Sequence, residues 1–109
     1  MYRIVINTGA RTLTVYQNSK WYKAYPVAVG RPDTPTPKGT FTIINRAVEP
    51  GGVFGVRWLG LSIKGYGIHG TNDPSSIGKF ISNGCIRMYN HDVLELVNLV
   101  PIGTTVQII

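Results

Sequence analysis

The chain is poor in the residues that most often carry covalent or metal chemistry. It has one cysteine, two histidines and five acidic residues among 109. A single thiol cannot form an internal disulfide, which excludes a disulfide scaffold and leaves the compartment open. No stretch approaches the roughly 18 apolar residues of a membrane span. No run of like charges occurs, and the basic residues are scattered from Arg3 to Arg87. The sequence marks of the common nucleic-acid modules are missing, so nucleic acid is not an expected partner. Residues 1–7, MYRIVIN, alternate and carry a charge, unlike the apolar stretch of a signal peptide.

What is present suits one domain, residues 1–109, able to bury a core without metal or disulfides. The net charge of +6 favours polyanions such as nucleic acid, teichoic acid, anionic lipid or an acidic peptide. Dispersed lysines on an ordinary soluble domain would give the same charge.

YRIVIN and TLTVYQ alternate with period two and are rich in β-branched residues, which predicts a hairpin through NTGA. WYKAYPVAV and TFTIIN read as a third and fourth strand. VRWLGLSI, YGIHG and TTVQII read as further short strands. GRPDTPTPKG and EPGGVFG are loops by their proline and glycine content. DPSSIG reads as a short helical turn. Short strands at regular spacing indicate a mainly β sandwich or barrel. One segment departs from this: HDVLELVNLV places Val93, Leu96, Val97 and Val100 at helical spacing. It predicts a helix over about 91–100, with Asn90 as N-cap and Pro101 and Gly103 as the stop.

The lone thiol sits in SNGCIRM, downstream of a histidine in IHGT. Cys85 would be a nucleophile as thiolate, and His69 could generate it through a thiolate–imidazolium pair that lowers the thiol pKa. The histidine then needs an orienting acceptor. None of Asp33, Glu49, Asp73, Asp92 and Glu95 is singled out by spacing, and a backbone carbonyl could serve. Gly84 removes bulk beside Cys85 and allows a carbonyl to approach backbone N–H groups. If 84–88 is extended, Arg87 shares a face with Cys85 and can hold a carboxylate in a bidentate pair. Each residue also has a plainer reading. A lone cysteine is usually apolar filler, and lone histidines, arginines and glycines are usually core, surface and turn residues. Zinc on Cys85, His69, His91 and Asp92 would have no common motif spacing. A non-catalytic polyanion-binding module would use the basic surface with Trp21, Trp58 and the tyrosines.

YGIHGT…GKFISNGCIRMYNHDV resembles the signature of the YkuD-type L,D-transpeptidases: a histidine, a gap, then Ser/Thr-x-Gly-Cys, an apolar residue and Arg or Asn. PVAVGRPDTPTPKGTFTI and EPGGVFGVRWLGLS are similar to other parts of that family. Asn83 stands where many relatives carry a second histidine. The resemblance implies a mixed β-sandwich or barrel-like catalytic fold with one helix. It implies a cysteine-dependent enzyme, without cofactor or metal, that attacks peptidoglycan tetrapeptide stems. Cys85 would expel the terminal D-alanine, and His69 would be base and then acid, held by the carbonyl of Gly70. Gly84 and Ser82 would belong to the oxyanion and positioning set, and Arg87, Tyr66 and Thr71 to substrate binding. An amine acceptor would give a 3→3 cross-link, and water would make the enzyme a carboxypeptidase. Carbapenems would be inhibitors, the enzyme a monomer, and its place the bacterial cell envelope.

Overall fold

The computed structural model describes residues 1–109. Strand β1 (Tyr2–Asn7) pairs antiparallel with β2 (Thr12–Gln17), so the hairpin forms as its alternation predicts. Ile4, Ile6, Leu13 and Val15 all point inward and are fully buried. Strand β3 (Lys20–Gly30) is long enough to serve two neighbourhoods. Its first half pairs with β2. Its second half pairs with β7 (Phe80–Ser82) and β8 (Ile86–Met88). Strands β4 (Gly39–Val48), β5 (Arg57–Leu61), β6 (Gly67–His69) and β9 (Thr105–Ile108) complete the set.

The pairing order is β2-β1-β9-β4-β5-β6-β8-β3, and β3 returns to β2. Eight strands therefore close into a barrel, with β7 added beside the end of β3. A barrel of about eight strands is just wide enough for side chains to fill it. Ile4, Leu13, Val27, Leu59, Ile68, Ile86, Met88 and Val106 do so as part of one buried cluster. Pairs β1–β9, β6–β8 and β3–β7 are parallel and the others antiparallel, so the sheet is mixed.

Helix α1 (Asn90–Leu99) buries Val93 and Leu96 and packs on β5 and β6. It starts one residue earlier than the periodicity suggests. The expected N-cap is corrected: Tyr89 occupies the cap position without a side-chain cap bond, and Asn90 is the first helical residue. The Asn90 amide bonds to neighbouring loops instead, as described below. Pro101 and Gly103 follow the helix end as expected. Short 3-10 turns lie at Pro74–Ser76, within DPSSIG, and at Gly52–Phe54, within EPGGVFG. Strand β7 was not anticipated: three residues give too little pattern to read.

Candidate active site

Strands β6 and β8 run side by side in parallel, with His69 opposite Arg87. Cys85 lies at the entrance to β8 rather than within it, so the expectation of a nucleophile on the strand itself is adjusted by one residue. His69, Cys85 and Arg87 share a cavity of about 250 Å³ with Val53, Phe54, Trp58, Gly65, Ser82 and Asn83.

The imidazole is fixed from three sides. His69 is 3% exposed. Its Nδ1 lies 2.5 Å from the carbonyl oxygen of Gly70. A carbonyl only accepts, so Nδ1 carries the proton and Nε2 is left as the acceptor. The indole of Trp58 stacks on the ring at 5.7 Å between centroids, and Phe54 meets it edge-on at 5.1 Å. Trp58 is His69's register partner on β5. Gly67 makes room for the indole, since a Cβ there would come within 2.6 Å of it.

Cys85 is held by its own turn. Gly84 adopts φ +121°, a conformation few other residues accept, and a Cβ there would sit 2.6 Å from the Tyr66 ring. Ser82 Oγ donates to the Cys85 carbonyl at 2.7 Å and accepts from the Gly84 N–H at 3.0 Å. This alters the expected oxyanion set: the Gly84 amide is already engaged, while the Cys85 N–H makes no hydrogen bond within the chain. The thiol itself lies 3.8 Å from the Gly65 carbonyl.

Electrostatics correct another expectation. Burial pushes the Cys85 thiol above its ordinary range, against a backbone hydrogen bond from Gly67 and the charge of Arg87. Burial also lowers His69 to about 4, opposed by the Gly70 hydrogen bond and assisted by Arg87. Both directions favour neutral groups. Burial therefore works against a preformed thiolate–imidazolium pair in the unliganded cavity.

Arg87 lines the cavity with no ion pair and no side-chain hydrogen bond to the chain. Tyr66 and Thr71, expected to touch substrate, are not among the residues lining this cavity. The Tyr66 ring supports the Gly84 turn, and Thr71 is buried with its hydroxyl bonded to the Asp73 backbone. His91 is an exposed helix residue stacked on Tyr89 and paired with Asp92, and nowhere do three His, Cys, Asp or Glu side chains converge. Cys85, His69, His91 and Asp92 form no such cluster. Trp58 belongs to the cavity wall, so it does not join exposed Trp21 in a surface platform.

The two loops divide their roles. Phe54 and Val53 bring EPGGVFG into the cavity wall. RPDTPTPKG does not line this cavity. It braces the cysteine turn from outside: Arg31 N–H and Thr34 Oγ1 both donate to the Ser82 carbonyl, and Arg31 Nη2 donates to Asn83. Phe54, Gly67 and Asn90 were missed in the sequence as site residues. Only the tertiary pairing of β5 with β6 and the seating of α1 reveal them.

The YkuD family model, which describes an L,D-transpeptidase catalytic domain, matches residues 1–108. A Bacillus licheniformis protein named "Putative L,D-transpeptidase YkuD" is 57% identical over 107 residues, covering 98% of this chain. This chain spans 65% of that relative's length. Among solved structures, the catalytic domain of the Enterococcus faecium L,D-transpeptidase aligns with a TM-score of 0.83 at 25% identity, over 100% of this chain and 97% of that one. An L,D-transpeptidase solved in complex with imipenem aligns with a TM-score of 0.84 at 19% identity, over 99% of this chain and 58% of that one. With the family signature spanning the barrel that carries His69 and Cys85, this chain belongs to the YkuD family of L,D-transpeptidase catalytic domains.

Proposed function

We propose that the chain is a cysteine-dependent L,D-transpeptidase that acts on peptidoglycan tetrapeptide stems. The observation that carries the reading is one cavity holding the only thiol and a buried histidine whose Nδ1 is tied to Gly70. That tie leaves Nε2 free to take a proton.

In the first half-reaction the Cys85 sulfur attacks the carbonyl carbon of the third stem residue as its proton passes to His69 Nε2. The carbonyl oxygen becomes an oxyanion, and the unengaged Cys85 N–H is the donor placed to meet it. Collapse breaks the amide C–N bond. The imidazolium returns its proton to the departing D-alanine amine and a thioester remains. An acceptor-stem amine then attacks the thioester, loses its proton to His69, and forms the 3→3 cross-link. The thiol is restored by that same proton. Because burial favours a neutral resting pair, the proton moves during attack rather than before it. Arg87, free of internal partners, holds a donor carboxylate. Ser82 and Gly84 shape the turn that presents the sulfur.

A β-lactam would enter the same chemistry by ring opening, and a structure of the same fold that holds imipenem supports carbapenems as inhibitors. The substrate would place the work in the bacterial cell envelope. The test is incubation with a disaccharide-tetrapeptide and mass spectrometry of the products. D-alanine release with a cross-linked dimer is expected. Release without dimer would make the enzyme a carboxypeptidase, and neither product would overturn the reading.

A further inference from the structure

Asn90 is the first residue of α1, and its side chain is spent on two other segments. Its Oδ1 accepts from the Thr71 N–H at 3.0 Å and from the Val56 N–H at 3.4 Å. Its Nδ2 donates to the Thr71 carbonyl at 3.0 Å. Three backbone groups are thereby tied by one side chain. Two belong to the residue after Gly70, and one belongs to the residue after Gly55. The segments concerned are the end of the β6 strand that carries His69 and the loop that carries Phe54 into the cavity.

The neighbouring glycines show how close this amide lies. A Cβ on Gly70 would fall 2.1 Å from Asn90 Oδ1, and a Cβ on Gly55, at φ +64°, would fall 2.3 Å from it. Both backbones are drawn so near the amide that neither position has room for a side chain. Gly70 is also the residue whose carbonyl receives the His69 Nδ1 proton. Fixing Thr71 from both its N–H and its C=O fixes the peptide plane next to that carbonyl.

We infer that Asn90 is a positioning residue: it clamps the Gly70–Thr71 backbone so that the Gly70 carbonyl holds His69 in the Nδ1-protonated tautomer, leaving Nε2 as the free acceptor. It acts through Gly70 and touches no reacting atom. The inference deepens the transpeptidase reading above and rests on it for its catalytic meaning. Loss of the clamp lets the Gly70 carbonyl turn away, and the ring then samples the Nε2-protonated form, which cannot accept the thiol proton.

The test reads the ring directly. Two-bond ¹⁵N–¹H correlation spectra of His69 in the free protein report which nitrogen carries hydrogen. In the wild type a single Nδ1–H tautomer is expected. In Asn90→Ala a mixture with the Nε2–H form is expected, with carbapenem acylation of Cys85 slowed about 10²-fold and its saturation concentration little changed. Asn90→Ser serves where alanine does not fold: its short hydroxyl suits a helix start but cannot span both segments, and the same mixture is expected. The added cost of Gly70→Ala should also shrink in the Asn90→Ala background, since the clashing oxygen is gone. An unchanged Nδ1–H tautomer with a wild-type acylation rate in a folded Asn90 variant would overturn the inference. The spectrum needs no substrate, so a wild type that processes no stem peptide would refute the transpeptidase reading while the role of Asn90 is still decided by the ring.

Discussion

At the scale of single residues, the protonation state of the resting pair is the sharpest consequence of burial. Desolvation raises Cys85 and lowers His69, so each group favours its uncharged form. Alkylation of the free enzyme by iodoacetamide should therefore keep rising with pH beyond the ordinary thiol value of about 8.5. A plateau reached near pH 6 would show a preformed thiolate and contradict the neutral pair. Arg87 belongs to the same scale. It faces the cavity without an internal partner, so Arg87→Ala should raise the donor KM more than it slows thiol alkylation. Equal loss in both assays would assign Arg87 to activation of Cys85 or to the fold instead. His69, Cys85, Gly84 and Arg87 could be picked out in the sequence because scarce residues in a tight motif carry chemical meaning by themselves. Asn90 was misread there. An Asn just before a helical repeat is the ordinary signal of an N-cap, and its use on Thr71 and Val56 appears only once α1 is seated against β5 and β6.

At the scale of elements, β1, β2 and α1 were legible because each has enough residues to show its period. Strand β6 lies within YGIHG, read as a short strand, whereas β7 and β8, also three residues each, show no period of their own. Barrel closure was also hidden, because it depends on β3 pairing with β2 at one end and with β7 and β8 at the other. The two proline- and glycine-rich loops look alike in composition, yet only one reaches the cavity. Segment 49–55 has six consecutive exposed residues, Glu49 to Phe54, and positive φ at Glu49, Gly51, Gly52 and Gly55. Its internal backbone bonds, from Gly51 to Gly55, from Phe54 to Gly51 and from Gly55 to Gly52, are all local, and none of Gly52 to Phe54 is buried, which marks a low-stability unit on a rigid scaffold. Amide exchange there should be much faster than in β5 and β6. Protection equal to that of the core strands would refute the expected mobility of this loop.

At the scale of the whole molecule, the same buried histidine ties stability to pH. Its pKa is about 4 in the fold against 6.5 when exposed, so the folded state favours the neutral ring. The unfolded chain takes up a proton first as pH falls, and stability is therefore lost between pH 6.5 and 4. The shift corresponds to about 3 kcal/mol over that window. Asp92, raised by partial burial, offsets a little of this at the acid end. Glu95 is held below its usual value by hydrogen bonds from Lys23 and Tyr25, and adds to the loss only at lower pH. The Tm should fall steadily from pH 6.5 to 4.5, and His69→Gln should flatten most of that slope. A wild-type Tm constant across the window would contradict the burial account of His69.

The central claim is that Cys85 is a nucleophile served by His69. Intact-mass measurement after incubation with a carbapenem tests it most directly. The account predicts one adduct per chain, mapped to the peptide around Cys85, formed more slowly in His69→Ala, absent in Cys85→Ala and unaffected by chelator. An unmodified chain after long exposure, with a thiol still open to alkylation, would contradict it.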